Sequence, residues 1–454
     1  MLAVVIFELS YKYFNTLAGK DLDYNILASE FSWLVLIGLF FIGAFLSGLY
    51  PAFVLSSYKP IVVLKGRLAT SFKGTSLRKG LVLGQFLLSA TLIAGTIIVY
   101  QQITYMRSQE LGMNIDKTLV VNGPGVVSND TLYRQGFNVF RQEILADPNV
   151  VSVTASTEIP GNLVYWTNGA RKLGAPPEAS GIMYRVGVDY DYISSYEHKI
   201  LAGRGFSREY GTDEDALVIT ENAMKMLGFS DPEAAIAQKV VTGGDTMAVI
   251  GVISDYHQEG LQKLHDPIAF LLRPNARSYY SIKLKTDDVK ETIAFLDETY
   301  RGVFSGNPFN YTFLDAFYEK QYQSEIRFGK VFGLFSFLAI LVACLGLLGL
   351  SAFSANQRSK EISIRKVLGS TTRGIFFLLS QEYIRLILIA NVIAIPLVWY
   401  GMTQWLDTFA FSIQISLWVF LIACVTTFAV AFLAVSYQSI KAAYTNPVKA
   451  LRNE

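Results

Sequence analysis

Five long stretches of this sequence contain no Asp, Glu, Lys or Arg: 31–58, 80–106, 331–357, 386–406 and 408–440. Each exceeds the roughly 20 apolar residues that a helix needs to cross a ~30 Å hydrocarbon core. Charged residues make up only 17% of the chain, against roughly 25% in an average soluble domain. The sequence therefore predicts an α-helical transmembrane protein with five complete spans. We place these at 32–57, 81–104, 331–355, 376–399 and 415–437.

The charges between the spans predict their orientation. Loop 59–79 holds six basic residues and no acid, and loop 358–373 holds five basic residues and one acid. Short basic loops stay in the cytoplasm, so both loops belong inside, together with the basic tail from Lys441. The segments 8–30 and 107–330 then lie outside by alternation.

The first residues, Met1 to Phe7, are apolar but too short to span, and no basic region precedes them as in a signal peptide. We expect a partial span that continues a longer chain. Tyr58, Pro60, Leu64 and Lys65 are matched near the end of the chain by Tyr444, Pro447, Leu451 and Arg452, with the leucine and the base at the same offsets from proline. This repeat predicts two homologous halves, of which 1–66 is the remnant of the first. The second then contains the loop and span 67–106, the outer domain 107–330 and the membrane segment 331–454.

The 107–330 insert mixes two periodicities and predicts an α+β domain, with a possible division into two subdomains. Apolar and β-branched runs indicate strands at 150–156, 182–190, 216–221, 240–254 and 279–286. Helical spacing of apolar residues indicates helices at 131–147, 221–229 and 288–304. A continuous helix over 313–335 would lead from this domain into the third complete span.

The cytoplasmic segment Gln357–Gly369 predicts a short amphipathic helix. Ile364, Val367 and Leu368 fall on one face, and Glu361 and Arg365 are spaced to pair at i, i+4. Gly369 is a suitable C-terminal stop. These features alone fit either a helix lying on anionic lipid or a docking surface for another protein.

This segment resembles the cytoplasmic coupling motif of FtsX/MacB-type ABC transporter permeases, which reads approximately R-x-K-E-I-x-I-R-K-x-L-G. The matching residues are Arg358, Lys360, Glu361, Ile362, Ile364, Arg365, Lys366, Leu368 and Gly369. The segment 446–452 resembles the closing signature of the family, and 201–207, 222–228 and 249–257 resemble the MacB periplasmic core domain. The form with two four-helix halves is similar to permeases common in Bacteroidetes, with most of the first half missing.

The resemblance implies a permease subunit in the inner membrane, with its large domain in the periplasm and a separate cytoplasmic ABC ATPase docked on the coupling helix. That helix would use Arg358, Lys360, Glu361, Ile364, Arg365, Lys366, Leu368 and Gly369. The sequence has no G-x-x-x-x-G-K-[ST] phosphate loop, so ATP would be used by the partner and this chain would be no enzyme. Hydrolysis would move the periplasmic domain, a relay called mechanotransmission. A second permease half or subunit and a periplasmic or outer-membrane protein are further expected partners, and no nucleic acid is expected.

Export of peptides or antibiotics and lipoprotein handling are the cargo classes that the family implies. The alternatives are an FtsX-like regulator of cell-wall hydrolases and a membrane-anchored ligand sensor. A secondary carrier would need ionisable residues deep inside several spans, and the five stretches have none. His257 and His265, eight residues apart, give no three ligands on one face, and Cys344 and Cys424 lie in spans, so we predict no metal, cofactor or disulfide.

Overall fold

The computed structural model describes residues 2–19, 30–56, 72–126, 129–286, 288–357 and 359–443. The chain divides into a membrane unit, which comprises 1–103, 325–406 and 413–454, and an outer domain, which comprises 104–324 and 407–412. The membrane unit is helical. Its helices are α1 (Leu2–Ala18), α2 (Glu30–Ser56), α3 (Phe72–Ser108), α10 (Gln323–Gln357), α11 (Ser359–Val367), α12 (Thr372–Leu406) and α13 (Leu417–Ala443).

Within the described residues, four helical stretches are long and apolar enough to cross a membrane: Lys79–Ser108, Leu314–Ser354, Ser380–Leu406 and Leu417–Ser436. They coincide with the predicted spans two to five. The first predicted span coincides with α2. The apolar stretch described within α2, Trp33–Phe45, is shorter than a membrane crossing requires. The count of five spans plus a partial one therefore stays a prediction. The apolar start of the chain belongs to a longer helix than expected, because α1 continues to Ala18.

Small and medium side chains let four membrane helices pack closely. Ala343 and Leu347 of α10 contact Ala390 of α12 and Ala431 of α13 in one buried cluster, which also includes Phe86 of α3. Close approach of small residues is the usual basis of helix packing in lipid. A buried hydrogen bond of 3.1 Å from Asn391 to Thr427 joins α12 to α13.

α12 runs ten residues past Pro396, whereas the sequence predicted an end near residue 399. Proline is tolerated inside membrane helices, where neighbouring groups satisfy the backbone carbonyl that it leaves free.

The outer domain contains, among its described residues, eleven strands and six α-helices. The strands are β1 (Thr118–Asn122), β2 (Val150–Ser156), β3 (Thr167–Lys172), β4 (Gly181–Val188), β5 (Ile200–Gly203), β6 (Ala216–Thr220), β7 (Lys239–Thr242), β8 (Asp245–Ile253), β9 (Ile268–Leu272), β10 (Tyr279–Leu284) and β11 (Tyr311–Phe313). The helices are α4 (Asp130–Ile144), α5 (Tyr192–Ser195), α6 (Glu221–Met226), α7 (Pro232–Ala235), α8 (Lys290–Val303) and α9 (Leu314–Glu319).

The first subdomain is an antiparallel sheet in the order β11-β1-β10-β2. Alternate residues such as Tyr280 and Ile282 point to one face, where they pack against Phe140 of α4 and Tyr300 of α8. The result is a two-layer sandwich with a core rich in aromatic rings.

The second subdomain is a closed barrel. Its strands follow the order β4-β3-β7-β8-β6-β9, and β9 pairs in parallel with β4 to complete the ring. The β7–β8 hairpin turns at Gly243 and Gly244, whose φ angles of +61° and +92° are those that such a tight turn requires. One residue pair, Ser156 with Val188, joins the barrel to the sheet.

The helix predicted over 313–335 is not uniform. α9 ends at Glu319, a 3₁₀ turn follows over Lys320–Tyr322, and α10 begins at Gln323. The chain is helical across this segment, but a change of helical type separates α9 from α10.

Candidate coupling site

α11 lies in the chain between the C-terminal end of α10 and the N-terminal end of α12, and side-chain contacts join these helices near it. Ser354, near the end of α10, and Tyr383 of α12 share a hydrogen bond of 3.0 Å between their hydroxyl groups. Lys79 of α3 forms an ion pair with Glu382 of α12. Glu382 thus has a partner on another helix.

α11 spans Ser359–Val367, close to the predicted 357–369. Glu361 and Arg365 form the predicted i, i+4 ion pair, with 2.8 Å between Oε1 and Nη2. Both side chains are about half exposed, so the pair contributes only a few tenths of a kcal/mol. The main effect of the pair is to fix the positions of the two charged groups on the surface of α11.

The end of α11 has the 6→1 hydrogen bond and the left-handed glycine of a Schellman motif, and the last helical i→i−4 bond precedes them. The Ser370 N–H donates to the Arg365 carbonyl at 2.9 Å, and the Leu368 N–H donates to the Ile364 carbonyl at 3.0 Å. Gly369 has a φ of +92°, a left-handed conformation that favours glycine. The predicted stop at Gly369 thus has the expected geometry.

The apolar residues of α11 divide into an anchored set and an exposed set. Ile362 is 5% exposed, whereas Ile364, Val367 and Leu368 are 51%, 68% and 79% exposed. The buried Ile362 anchors the helix, while the other three form an apolar surface that is exposed among the described residues. The sequence pattern predicted this surface but not the anchoring role of Ile362, because its spacing from Ile364 fits no single helical face.

The remaining predicted residues are placed only in part. The backbones of Lys360 and Lys366 lie in α11, but their side chains are not among those described. Arg358, the segments 58–65 and 446–452, and most of the basic loop 59–79 lie outside the described residues.

A second cluster lies in the outer domain, where His257 and His265 face each other. Their Nε2 atoms are 3.3 Å apart, and Phe411 packs against both rings. Burial is the main cause that lowers the pKa of His257 to about 4, and His265 adds to it. No group of three or more possible metal ligands comes together in the part of the chain that the structure describes.

Comparison with known proteins matches residues 333–447 to the FtsX-like permease C-terminal domain. The macrolide export ATP-binding/permease protein MacB of Aggregatibacter actinomycetemcomitans is 23% identical over 296 residues, which cover 63% of this chain and 44% of MacB. The ABC transporter permease YvrN of Bacillus subtilis (strain 168) is 22% identical over 329 residues, which cover 68% of this chain and 80% of YvrN. The chain thus spans less than half the length of its MacB relative.

Two solved structures also resemble part of the chain. The periplasmic region of MacB from Actinobacillus actinomycetemcomitans has a TM-score of 0.33 and 15% identity, and covers 48% of this chain and 97% of its own. The extracellular domain of the noncanonic ABC-type transporter YknZ from Gram-positive bacteria has a TM-score of 0.31 and 15% identity, with 43% and 98% coverage.

The apolar helices, the short helix α11 between α10 and α12 and the match over 333–447 agree with one another. The chain carries an FtsX-like permease C-terminal domain and is related to ABC transporter permeases of the MacB/FtsX type.

Proposed function

We propose that this chain is the transmembrane subunit that couples ATP hydrolysis by a separate cytoplasmic ATPase to movement of the outer domain. The observation that carries the proposal is the uncovered apolar surface of Ile364, Val367 and Leu368 on α11. A short helix with an anchored side and an apolar exposed side can fit into a groove of a partner protein. The relative MacB, whose name joins ATP-binding and permease functions, supports an ATPase as that partner.

The work of the subunit is mechanical in this proposal. The sequence lacks the phosphate loop that would hold ATP, so the nucleotide binds the partner. Docking on α11 transmits closure of the ATPase to α10 and α12, the helices on either side of it in the chain. Export of a peptide, an antibiotic or a lipoprotein from the outer face of the inner membrane is the transport that we propose, in keeping with the export function in the name of MacB.

Photo-crosslinking tests the partner directly. Benzoylphenylalanine in place of Leu368 should crosslink, in native membranes, to a protein that mass spectrometry identifies as an ATPase with a phosphate loop. The matched control is the same amino acid at Val126, which is equally exposed but lies in the outer domain. Crosslinks from position 368 to lipid alone would instead support a helix that lies on the membrane surface, and would overturn the proposal.

Variants separate the apolar surface from the ion pair. Leu368→Asp should lower the amount of ATPase that co-purifies by at least tenfold, because a charge would be buried without a partner. The double variant Glu361→Arg with Arg365→Glu preserves the pair in reverse. If charge order matters for docking, it should also lose the ATPase, whereas retention would limit the role of the pair to helix stability.

A further inference from the structure

One loop of the outer domain contacts both segments that continue into α3 and α10. The N–H of His257 donates to the carbonyl of Leu111, three residues beyond the end of α3, at 2.9 Å. The hydroxyl of Tyr318, on α9, shares its one proton between the carbonyl oxygens of His257 at 3.0 Å and Glu259 at 2.7 Å. His257 is therefore fixed to both chain connections through its backbone, while its ring is left to make other contacts.

The same loop also holds the short connection between α12 and α13. The N–H groups of Ala410 and Phe411 donate to the carbonyls of Gln262 and Leu261, at 3.1 and 3.3 Å. The segment 407–412, although it lies between two membrane helices in the sequence, belongs to the outer domain for this reason. Two backbone hydrogen bonds of moderate length join the segment to this loop, and side-chain contacts add to them.

Phe411 makes a side-chain contact with the histidine pair. Its ring centroid lies 4.9 Å from that of His257, nearly edge to face, and 5.3 Å from that of His265. The two imidazole centroids are 4.3 Å apart. The Nε2 separation of 3.3 Å allows one neutral ring to donate to the other.

The charges around the pair act unequally on the two rings. Asp255, Asp266 and Glu221 favour a proton on His265, although burial has the larger effect and lowers its pKa. Burial and then His265 lower the pKa of His257. Nearby, Lys263 forms an ion pair with Glu259 and Lys225 with Glu221, and Asp407 begins the connection that carries Phe411.

We propose that His257 and His265 form a proton-sensitive clasp. The pair holds Phe411 while it carries at most one positive charge, and it releases Phe411 when both rings are cationic. A single proton can be shared between the two Nε2 atoms. A second proton places two cations on rings in direct contact, removes the nitrogen acceptor and favours hydration of both rings over contact with Phe411. The clasp goes beyond the proposed function and does not depend on docking of an ATPase.

Fluorine NMR at position 411 tests the clasp without any transport assay. The full chain with 4-fluorophenylalanine at Phe411, in detergent, is titrated from pH 7.5 to 3, a range that includes the pKa of about 4 of His257. We expect the resonance to move or to split, with a midpoint below 6.5. The same label at Phe309 is the control, because that ring contacts Tyr300 and Tyr311 and no histidine.

The double variant His257→Gln with His265→Gln should remove the change at position 411. A signal at 411 that stays constant over this range would overturn the clasp, as would an unchanged titration in the double variant. An equal change with the same midpoint at position 309 would also overturn it, since the domain would then be unfolding as a whole. Loss of the clasp leaves the proposed ATPase docking untouched, so the two proposals fail independently.

Discussion

His198 is buried in the outer domain, where its ring contacts Tyr192, Tyr256 and Phe270. Burial lowers its pKa to about 3, against 6.5 when it is unperturbed. The unfolded chain therefore binds a proton at a pH where the folded chain does not. The contribution of neutral His198 to the free energy of unfolding is fully present above pH 6.5 and is lost as the pH falls toward 3.

Replacing His198 with Phe should remove this acid sensitivity while keeping an aromatic ring in the cluster. Between pH 7 and 4 the wild type should lose about 2–3 kcal/mol more stability than His198→Phe. Thermal unfolding of the two proteins at several pH values measures the difference. Parallel pH profiles would show that the buried imidazole does not cause the loss.

Two glycines in one loop should differ sharply in their tolerance of a side chain. A Cβ at Gly123 would overlap the carbonyl oxygen of Arg277, whereas one at Gly125 would meet nothing within 4 Å. Gly123→Ala should destabilise the domain by about 2 kcal/mol or more, because the obstacle is backbone. Gly125→Ala, the matched control, should change stability by less than about 0.5 kcal/mol. Equal effects of the two variants in a thermal unfolding assay would contradict this.

At the level of elements, Asp189 ties the barrel to the sheet. It follows β4, and its carboxylate accepts hydrogen bonds from the Thr154 hydroxyl and from the Ala155 N–H of β2, the latter at 3.1 Å. Burial raises its pKa to about 6, opposed by the bond from Thr154 and supported by the nearby Asp191. One buried carboxyl group thus strengthens a junction that contains a single residue pair of the β ladder.

The pH dependence at this junction should have the opposite sign to that of His198. The folded chain holds a proton on Asp189 up to about pH 6, while the unfolded chain loses it near 3.8. The contribution of protonated Asp189 to the free energy of unfolding is therefore fully present below about pH 4 and is lost as the pH rises through 6. Asp189→Asn should be less stable by about 1–3 kcal/mol, because an amide cannot accept from both donors, and its stability should no longer fall over this range. A variant that keeps the wild-type slope in thermal unfolding between pH 4 and 6 would rule out Asp189 as its origin.

The end of α11 offers a test of a single element. Gly369→Ala would force a side chain into a left-handed conformation at a cost of about 1 kcal/mol. Hydrogen exchange of a peptide that covers 359–370 should become roughly fivefold faster as the Schellman motif opens. Gly374→Ala, inside α12, should leave that exchange unchanged. The assignment of the helix stop to Gly369 fails if the two variants behave alike.

Some elements could be predicted from the sequence and others could not. The β-branched run of β2 was predicted to the residue, and a strand signal over 240–254 resolved into the β7–β8 hairpin. β3, with Asn168, Gly169 and Lys172, has no strand pattern and forms because β4 and β7 pair with it on either side. β9 is buried at every position, so it lacks the alternation that reveals a half-exposed strand. In the coupling site, periodicity identified α11 and its ion pair, but the anchoring of Ile362 depends on tertiary packing.

At the level of the whole molecule, the distribution of basic residues predicts which side of the membrane each part faces. A membrane-impermeant maleimide added to intact cells with a permeable outer layer should label Val126→Cys and leave Ser370→Cys unlabelled. Lysed membranes should label both, which controls for reactivity. Cys344 and Cys424 lie in membrane helices and would be replaced by Ala in both proteins. Labelling of position 370 in intact cells would reverse the predicted orientation.

The closed barrel limits how neighbouring copies of the protein can associate through their strands. Because the ring of six strands satisfies its own backbone groups, it offers a neighbouring copy no row of free N–H and C=O groups. Among the described strands, the edges outside this ring belong to β5 with four residues, to β11 with three, and to β2, which pairs with β4 at Ser156 alone. A neighbouring copy can therefore meet free backbone groups at these edges but not along the ring, where any association must be specified by side chains.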